Sequence, residues 1–140
     1  MLSPLRGASW KEALEQGSAM VEVAVVFPLL IMVAVALVQF ALYFHAENVV
    51  IGSVQDGARV AAEEDRSLDE GLTHTRALLQ AGLGPTAANV SVTGAEGVDA
   101  VVVEAQGGLQ AIIPWGGGGM LPLRARAVMS KERFRGGRGG

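Results

Sequence analysis

A carboxylate stands at the mouth of a long apolar run, and a glycine stands five residues before it: Gly17-Ser18-Ala19-Met20-Val21-Glu22. Residues 23–44 contain no Asp, Glu, Lys or Arg. An ordinary membrane anchor needs neither the glycine nor the glutamate. A segment cut after the glycine and then packed against copies of itself needs both. Such a cut leaves Glu22 four residues from a free amine, about 6 Å along a helix. The amine of one subunit then pairs with the glutamate of its neighbour, which offsets desolvation and sets an axial register. A charge at the bilayer centre costs about 2.5–3.5 kcal/mol on insertion scales and less near the interface. The alternative is an interfacial carboxylate at a helix start that faces headgroups and pairs with nothing.

The element that positions these residues is a membrane-length helix. Residues 23–44 rise about 33 Å as a helix, enough to cross a hydrocarbon core of about 30 Å. The run exceeds the usual core of a removable secretory signal, and Phe44 occupies a place where a cleavage site after Ala46 wants a small residue. A spanning helix is therefore expected. Arg6 and Lys11 precede it, which puts the N-terminus in the cytoplasm. Pro28 cannot donate a backbone hydrogen bond and clashes one turn back, so it kinks or loosens the helix. Gln39 is the sole amide in the run: it bonds across helices or is merely tolerated. Tyr43 and His45 fall at the far interface, where amphipathic rings anchor.

Past the membrane the helix continues. Val50, Val54, Ala58 and Ala61 make one apolar stripe. It packs against the chain's own globular part, against neighbouring helices, or against each on a different face. Gly52 and Gly57 weaken this stretch by about 1 kcal/mol each relative to Ala. Ser67-Leu68-Asp69-Glu70 is a capping box that starts a second helix, with Leu68, Leu72, Leu79 and Leu83 on one face. Gly82, Gly84 and Pro85 stop it. The period then changes to two. Val90-Ser91-Val92-Thr93 and residues 101–105, with Glu104 outward, form a hairpin around a turn at Gly94 to Gly97, and Gly107-Gly108 ends it. Ile112, Ile113 and Trp115 pack on the sheet or form a contact patch, and Gly116 to Gly119 is a loop. Leu121, Leu123, Ala125 and Ala127 alternate with Arg124 and Arg126 in a third strand with a basic face. Pro122 belongs at an edge or a strand start. The fold class is α+β: a long N-terminal transmembrane helix, one short helix and a three-stranded antiparallel sheet.

Composition bounds the function. The 140 residues suit one folded unit beyond the helix. Hydrophobic content is 50% and mean hydropathy is +0.36, an excess carried by the apolar run. The net charge of -3 argues against wholesale binding of nucleic acid. There are no cysteines, which removes disulfides and thiol chemistry. His45 and His74 are the only histidines, so no metal centre is expected. No nucleophile motif, phosphate loop or paired-carboxylate signature is present, so the chain reads as a non-enzyme without cofactors. The end of the chain, Arg133-Phe134-Arg135-Gly136-Gly137-Arg138-Gly139-Gly140, superficially resembles an RNA-binding tail but reads as a solvated one.

Gly17-Ser18-Ala19-Met20-Val21 followed by Glu22-Val23-Ala24-Val25-Val26-Phe27-Pro28 resembles the start of TadE-like pseudopilins of the tight adherence (Tad, or Flp) pilus system. The family pattern is a glycine, a glutamate five on, and a proline six after that. Asp56-Gly57-Ala58-Arg59-Val60-Ala61-Ala62 is similar to the segment after the span in these proteins. The third strand leading to Lys131-Glu132 is similar to their C-terminal end. The likeness is strong over residues 17–62 and loose afterwards. It implies a pilin-like fold and cleavage between Gly17 and Ser18 by a membrane-embedded aspartyl prepilin peptidase. Many type IV pilins carry phenylalanine after the cut; here the residue is Ser18. Glu22 and Pro28 become the assembly residues. The implied partners are membrane lipid, the peptidase, other pilin or pseudopilin subunits and the assembly platform, with no nucleic acid. The implied layout is a cytoplasmic leader over residues 1–17, a span over 18–46 in the bacterial inner membrane, an extracytoplasmic extension and head over 47–130, and a disordered tail over 131–140. The implied role is a minor or priming pilus subunit. The other readings are a single-span adaptor of a secretion complex that enters no filament, and a cytoplasm-facing membrane protein whose basic tail touches nucleic acid.

Overall fold

The computed structural model describes residues 10–112 and 119–131. The first part of the leader, Ile113, Trp115, most of the glycine loop and the arginine-glycine tail lie outside the described residues. The chain divides into two compact units, Met1–Val38 and Gln39–Gly140. The long helix α1, Trp10–Ala62, belongs to both. It begins ahead of Gly17 and is unbroken across Pro28.

The second unit has the expected architecture. Helix α2, Leu68–Leu83, opens on the capping box: Ser67 Oγ accepts from Glu70 N at 3.2 Å, and Ser67 N donates to Glu70 Oε2 at 3.0 Å. Two backbone donors with no partner inside the helix are thus satisfied. Ser67→Ala removes one of them and is expected to cost about 1 kcal/mol, read as a lower melting temperature of the purified chain in detergent. Arg66 bridges the connection through Glu63 at 3.8 Å and Glu70 at 3.9 Å, an exposed arrangement worth little by itself.

Gly84 ends α2 with φ 56°, a backbone value that favours glycine. A 3₁₀ turn over Gly84–Asn89 then leads into the sheet, a feature the period analysis did not foresee. Strands β1 (Val90–Glu96), β2 (Ala100–Gln110) and β3 (Met120–Ser130) form an antiparallel sheet in the order β1-β2-β3. Inward residues alternate with outward ones along β3, where Leu123 and Ala127 are buried and Arg124 and Arg126 are exposed. Pro122 sits on this edge strand, where a missing backbone donor breaks no ladder bond.

Two turn expectations are corrected. Gly94 lies inside β1, and the hairpin turns at residues 97–100, where Gly97 N donates to Ala100 O at 2.8 Å. A Cβ on Gly94 would meet Leu68 Cδ1 at 2.8 Å and Leu72 Cδ2 at 3.0 Å. The glycine makes room for α2 and does not make a turn. Likewise Gly107-Gly108 does not end β2, which pairs onward through Gly108 and Pro122 to Gln110 and Met120. A Cβ on Gly107 would meet Asn89 O at 2.2 Å. These glycines mark close approach of backbone, which a strand tolerates.

The stripe on α1 packs into the chain's own core. Ala46, Val50, Val54, Ala58 and Ala61 join Leu72 and Leu79 of α2 and Val90, Val92, Val101, Val103, Ala105, Leu123 and Ala127 of the sheet. Gly57 is not a mere weak point. A Cβ there would meet Thr75 Oγ1 at 1.8 Å and Gly71 O at 2.8 Å, so α1 and α2 cross backbone to backbone. Gly52, by contrast, has open space around it.

Candidate functional site

Inside α1 no proline comes before position 28, and among the described residues of its own unit nothing covers the apolar stretch from Met20 to Leu30. Candidate spanning helix Gly17–Ala62 is long and apolar enough to cross a membrane, and none of its most apolar window is buried. Met20, Val21, Val23, Val25, Phe27, Leu29 and Leu30 are all exposed. A helix apolar on every side and uncovered by its own chain requires an apolar surrounding. The chain therefore has one long N-terminal apolar helix of the kind that anchors a single-pass membrane protein.

Gly17 and Ser18 both lie within α1, and both are exposed. A Cβ on Gly17 would meet nothing within 4 Å. Neither packing nor backbone conformation in this chain requires a glycine there. Glu22 is exposed one helical turn after Ser18, on the same face, because residues four apart align along a helix. It stands at the edge of a shallow apolar groove of about 310 Å³ with Val23, Val26, Phe27 and Leu30. Among the described residues it has no hydrogen bond or ion pair. Pro28 follows six residues later inside α1, so the carbonyl of Ala24 has no backbone donor from position 28. One helix thus carries the four residues in series; none is brought to the others by a tertiary contact.

The second unit holds a polar residue whose partner the sequence did not reveal. Gln39 is buried, and its Oε1 accepts from Ile112 N at 2.6 Å. Its Nε2 has no partner among the described residues. Gln39 therefore bonds within its own chain, to the end of the β2–β3 hairpin. Ile112 is exposed and does not pack on the sheet. Tyr43 Oη donates to Pro122 O at 3.2 Å and ties the start of β3 to α1. No spacing rule links position 39 to 112 or 43 to 122; only the fold brings them together.

The histidines are separate. His45 lines a groove of about 330 Å³ whose other polar groups include Thr86, Asn89 and Gln110. His74 is exposed on α2 beside Asp69 and Glu70. Among the described residues no three His, Asp or Glu side chains converge as metal ligands.

No curated protein and no solved structure matches the chain. A family model does. Its description is TadE-like protein; it begins at Gly17, takes in Glu22 and Pro28, and ends at Arg59 on the packed stretch of α1, so over residues 17–59 the chain is similar to TadE-like proteins.

Proposed function

We propose that this chain is a minor or priming pseudopilin that takes part in assembling a Tad (Flp) type IV pilus. The family match supports involvement in pilus assembly. The observation that carries the finer reading is Gly17. Its own fold makes no use of the missing side chain, so the demand for glycine comes from something outside the chain. A prepilin peptidase that must bring the backbone of residues 17 and 18 into its site makes that demand. Residues 1–17 are then a cytoplasmic leader, residues 18–46 the span in the inner membrane, and residues 47–130 the extracytoplasmic extension and head, followed by the basic tail.

Cleavage leaves the Ser18 amine one turn from the Glu22 carboxylate, on the same face of the helix. Within one chain the two partly neutralise each other. Between chains, the amine of one subunit pairs with the glutamate of the next. An unpaired charge in the membrane costs several kcal/mol on the order of the insertion scales, so subunits lock at the stagger that pairs it. The role is structural: pairing, packing and register.

The test is the mature N-terminus in the native host. Intact-mass and N-terminal peptide measurements are expected to give a chain that starts at Ser18. A Met1 start, with the helix still in the membrane, would turn the reading to a membrane-anchored adaptor that enters no filament. Topology is read separately. Arg6 and Lys11 ahead of the span hold the leader in the cytoplasm, so protease added to spheroplasts is expected to digest the head. A head that survives until lysis would reverse the orientation.

A further inference from the structure

The last apolar turn of α1 and the end of the β2–β3 hairpin lie side by side in the second unit. Ile112 N donates to Gln39 Oε1. Four residues on, about 6 Å along the helix, Tyr43 donates to the carbonyl of Pro122. On the hairpin, Ala111 N donates to Gly119 O, one step beyond the Gln110–Met120 pair. Pro122 follows Met120 by two residues, about 7 Å along a strand. Helix and hairpin therefore advance together, and Ile112 and Met120 stand level with residues 39–42 of α1.

Exposed apolar side chains cluster at that level, with the uncharged Gln110 beside them. Phe40 is 62% exposed, Leu42 42% and Phe44 45% on the helix; Ile112 is 55% and Met120 56% exposed on the hairpin. Between Glu104 and Arg124 the sequence has no Asp, Glu, Lys or Arg. Charge begins just above the level on both elements, at Glu47 on α1 and at Arg124 on β3. Arg124 is exposed, and neither it nor Arg126 has an ion pair among the described residues. An apolar end bounded sharply by charge on two elements, continuous with a helix of membrane length, has the layout of a membrane-water boundary.

We propose that the end of the β2–β3 hairpin is a second membrane contact: it seats in the headgroup and acyl boundary of a bilayer, with Ile112 and Met120 against lipid and Arg124 reaching anionic headgroups. It rests on reading α1 as a membrane span and not on the pilus role. Arg124 lies about 7 Å beyond Pro122, within the ~8 Å over which physiological salt leaves a charge unscreened. Its aliphatic stem lets the guanidinium sit among phosphates while the hairpin end stays in the apolar layer. The Gln39–Ile112 bond then keeps a strand-end donor satisfied where water is scarce, the condition any backbone must meet at membrane depth.

The chain has no native cysteine, so a single introduced thiol reports one place. The full chain is reconstituted at low protein-to-lipid ratio in vesicles of phosphatidylcholine with or without phosphatidylglycerol. An environment-sensitive fluorophore is placed in turn at Met120→Cys, Leu30→Cys and Val98→Cys. Val98 is apolar and exposed but lies at the opposite end of the sheet. Nitroxide-bearing lipids are expected to quench the labels at 120 and 30 and to spare the label at 98. Arg124→Gln is expected to lower quenching at 120 in the anionic vesicles and to leave it unchanged in pure phosphatidylcholine. A label at 120 as unquenched as that at 98, with 30 quenched, overturns the inference and leaves the span intact. Failure at 30 overturns the span and the inference with it. A label at 120 that is shielded only at high protein density, and is not quenched by lipid, assigns the patch to another subunit and overturns the lipid contact. Unchanged quenching in Arg124→Gln with anionic lipid removes the headgroup role.

Discussion

Gly57→Ala is expected to destabilise the head by about 2–3 kcal/mol, although alanine is the better helix former. The new Cβ would lie 1.8 Å from Thr75 Oγ1 and 2.8 Å from Gly71 O. Thr75 is fully buried, and its hydroxyl donates to Gly71 O at 2.9 Å. A rotamer change at Thr75 would break that bond and still leave the clash with the Gly71 carbonyl, which is backbone. Helix α2 must therefore move away from α1, opening the contacts of Leu72 and Leu79. Gly52→Ala is the internal control. Its Cβ meets nothing, and the helix gains about 1 kcal/mol. Melting of the full chain in detergent should fall by roughly 10–20 °C in Gly57→Ala, by the usual scaling for a unit of this size, and should rise slightly in Gly52→Ala. Equal shifts in the two variants would mean that the close crossing is not there.

Gly17→Val and Glu22→Ala are expected to abolish pilus formation at two different steps. In Gly17→Val a branched side chain crowds the bond to be cut and stiffens its backbone. Its own fold has open space at position 17, so the variant should accumulate in the membrane at normal level, uncut. In Glu22→Ala the glycine and the apolar run remain, and cutting should persist at least in part. Insertion improves slightly because a charge is gone. Assembly is then expected to fail, because the neighbour's amine is left unpaired at a cost of about 3–5 kcal/mol. Glu22→Gln keeps a hydrogen-bonding group without the charge and should fall between. The measurement is pilus yield at matched amounts of cleaved protein. Wild-type yield from Glu22→Ala would reduce Glu22 to an interfacial group and move the adaptor reading ahead.

The resemblance was legible because it is local. Gly17, Glu22 and Pro28 carry the resemblance through their spacing along one helix, and spacing survives in the sequence without any knowledge of the fold. The same holds for the capping box at Ser67 and Glu70, whose two hydrogen bonds span three residues, and for the alternation of Leu123, Arg124, Ala125 and Arg126 along β3. Each is set by the period of a helix or a strand.

What the tertiary structure decided concerns residues whose meaning depends on a distant partner. Glycine is the plainest case. Gly52 and Gly57 look alike in the sequence, yet one faces open space and the other α2. Gly94 reads as a turn signal and Gly107-Gly108 as a strand end, yet all three lie inside strands. A glycine signals that a side chain is unwanted, but not whether a turn or a neighbour is the reason. Gln39 and Tyr43 carry the same lesson. Their partners, Ile112 and Pro122, are 73 and 79 residues away. Local periodicity fixes which face a residue shares with its near neighbours. Hydrogen bonds across such distances exist only once the hairpin has closed against α1, and no repeat in the chain encodes that closure.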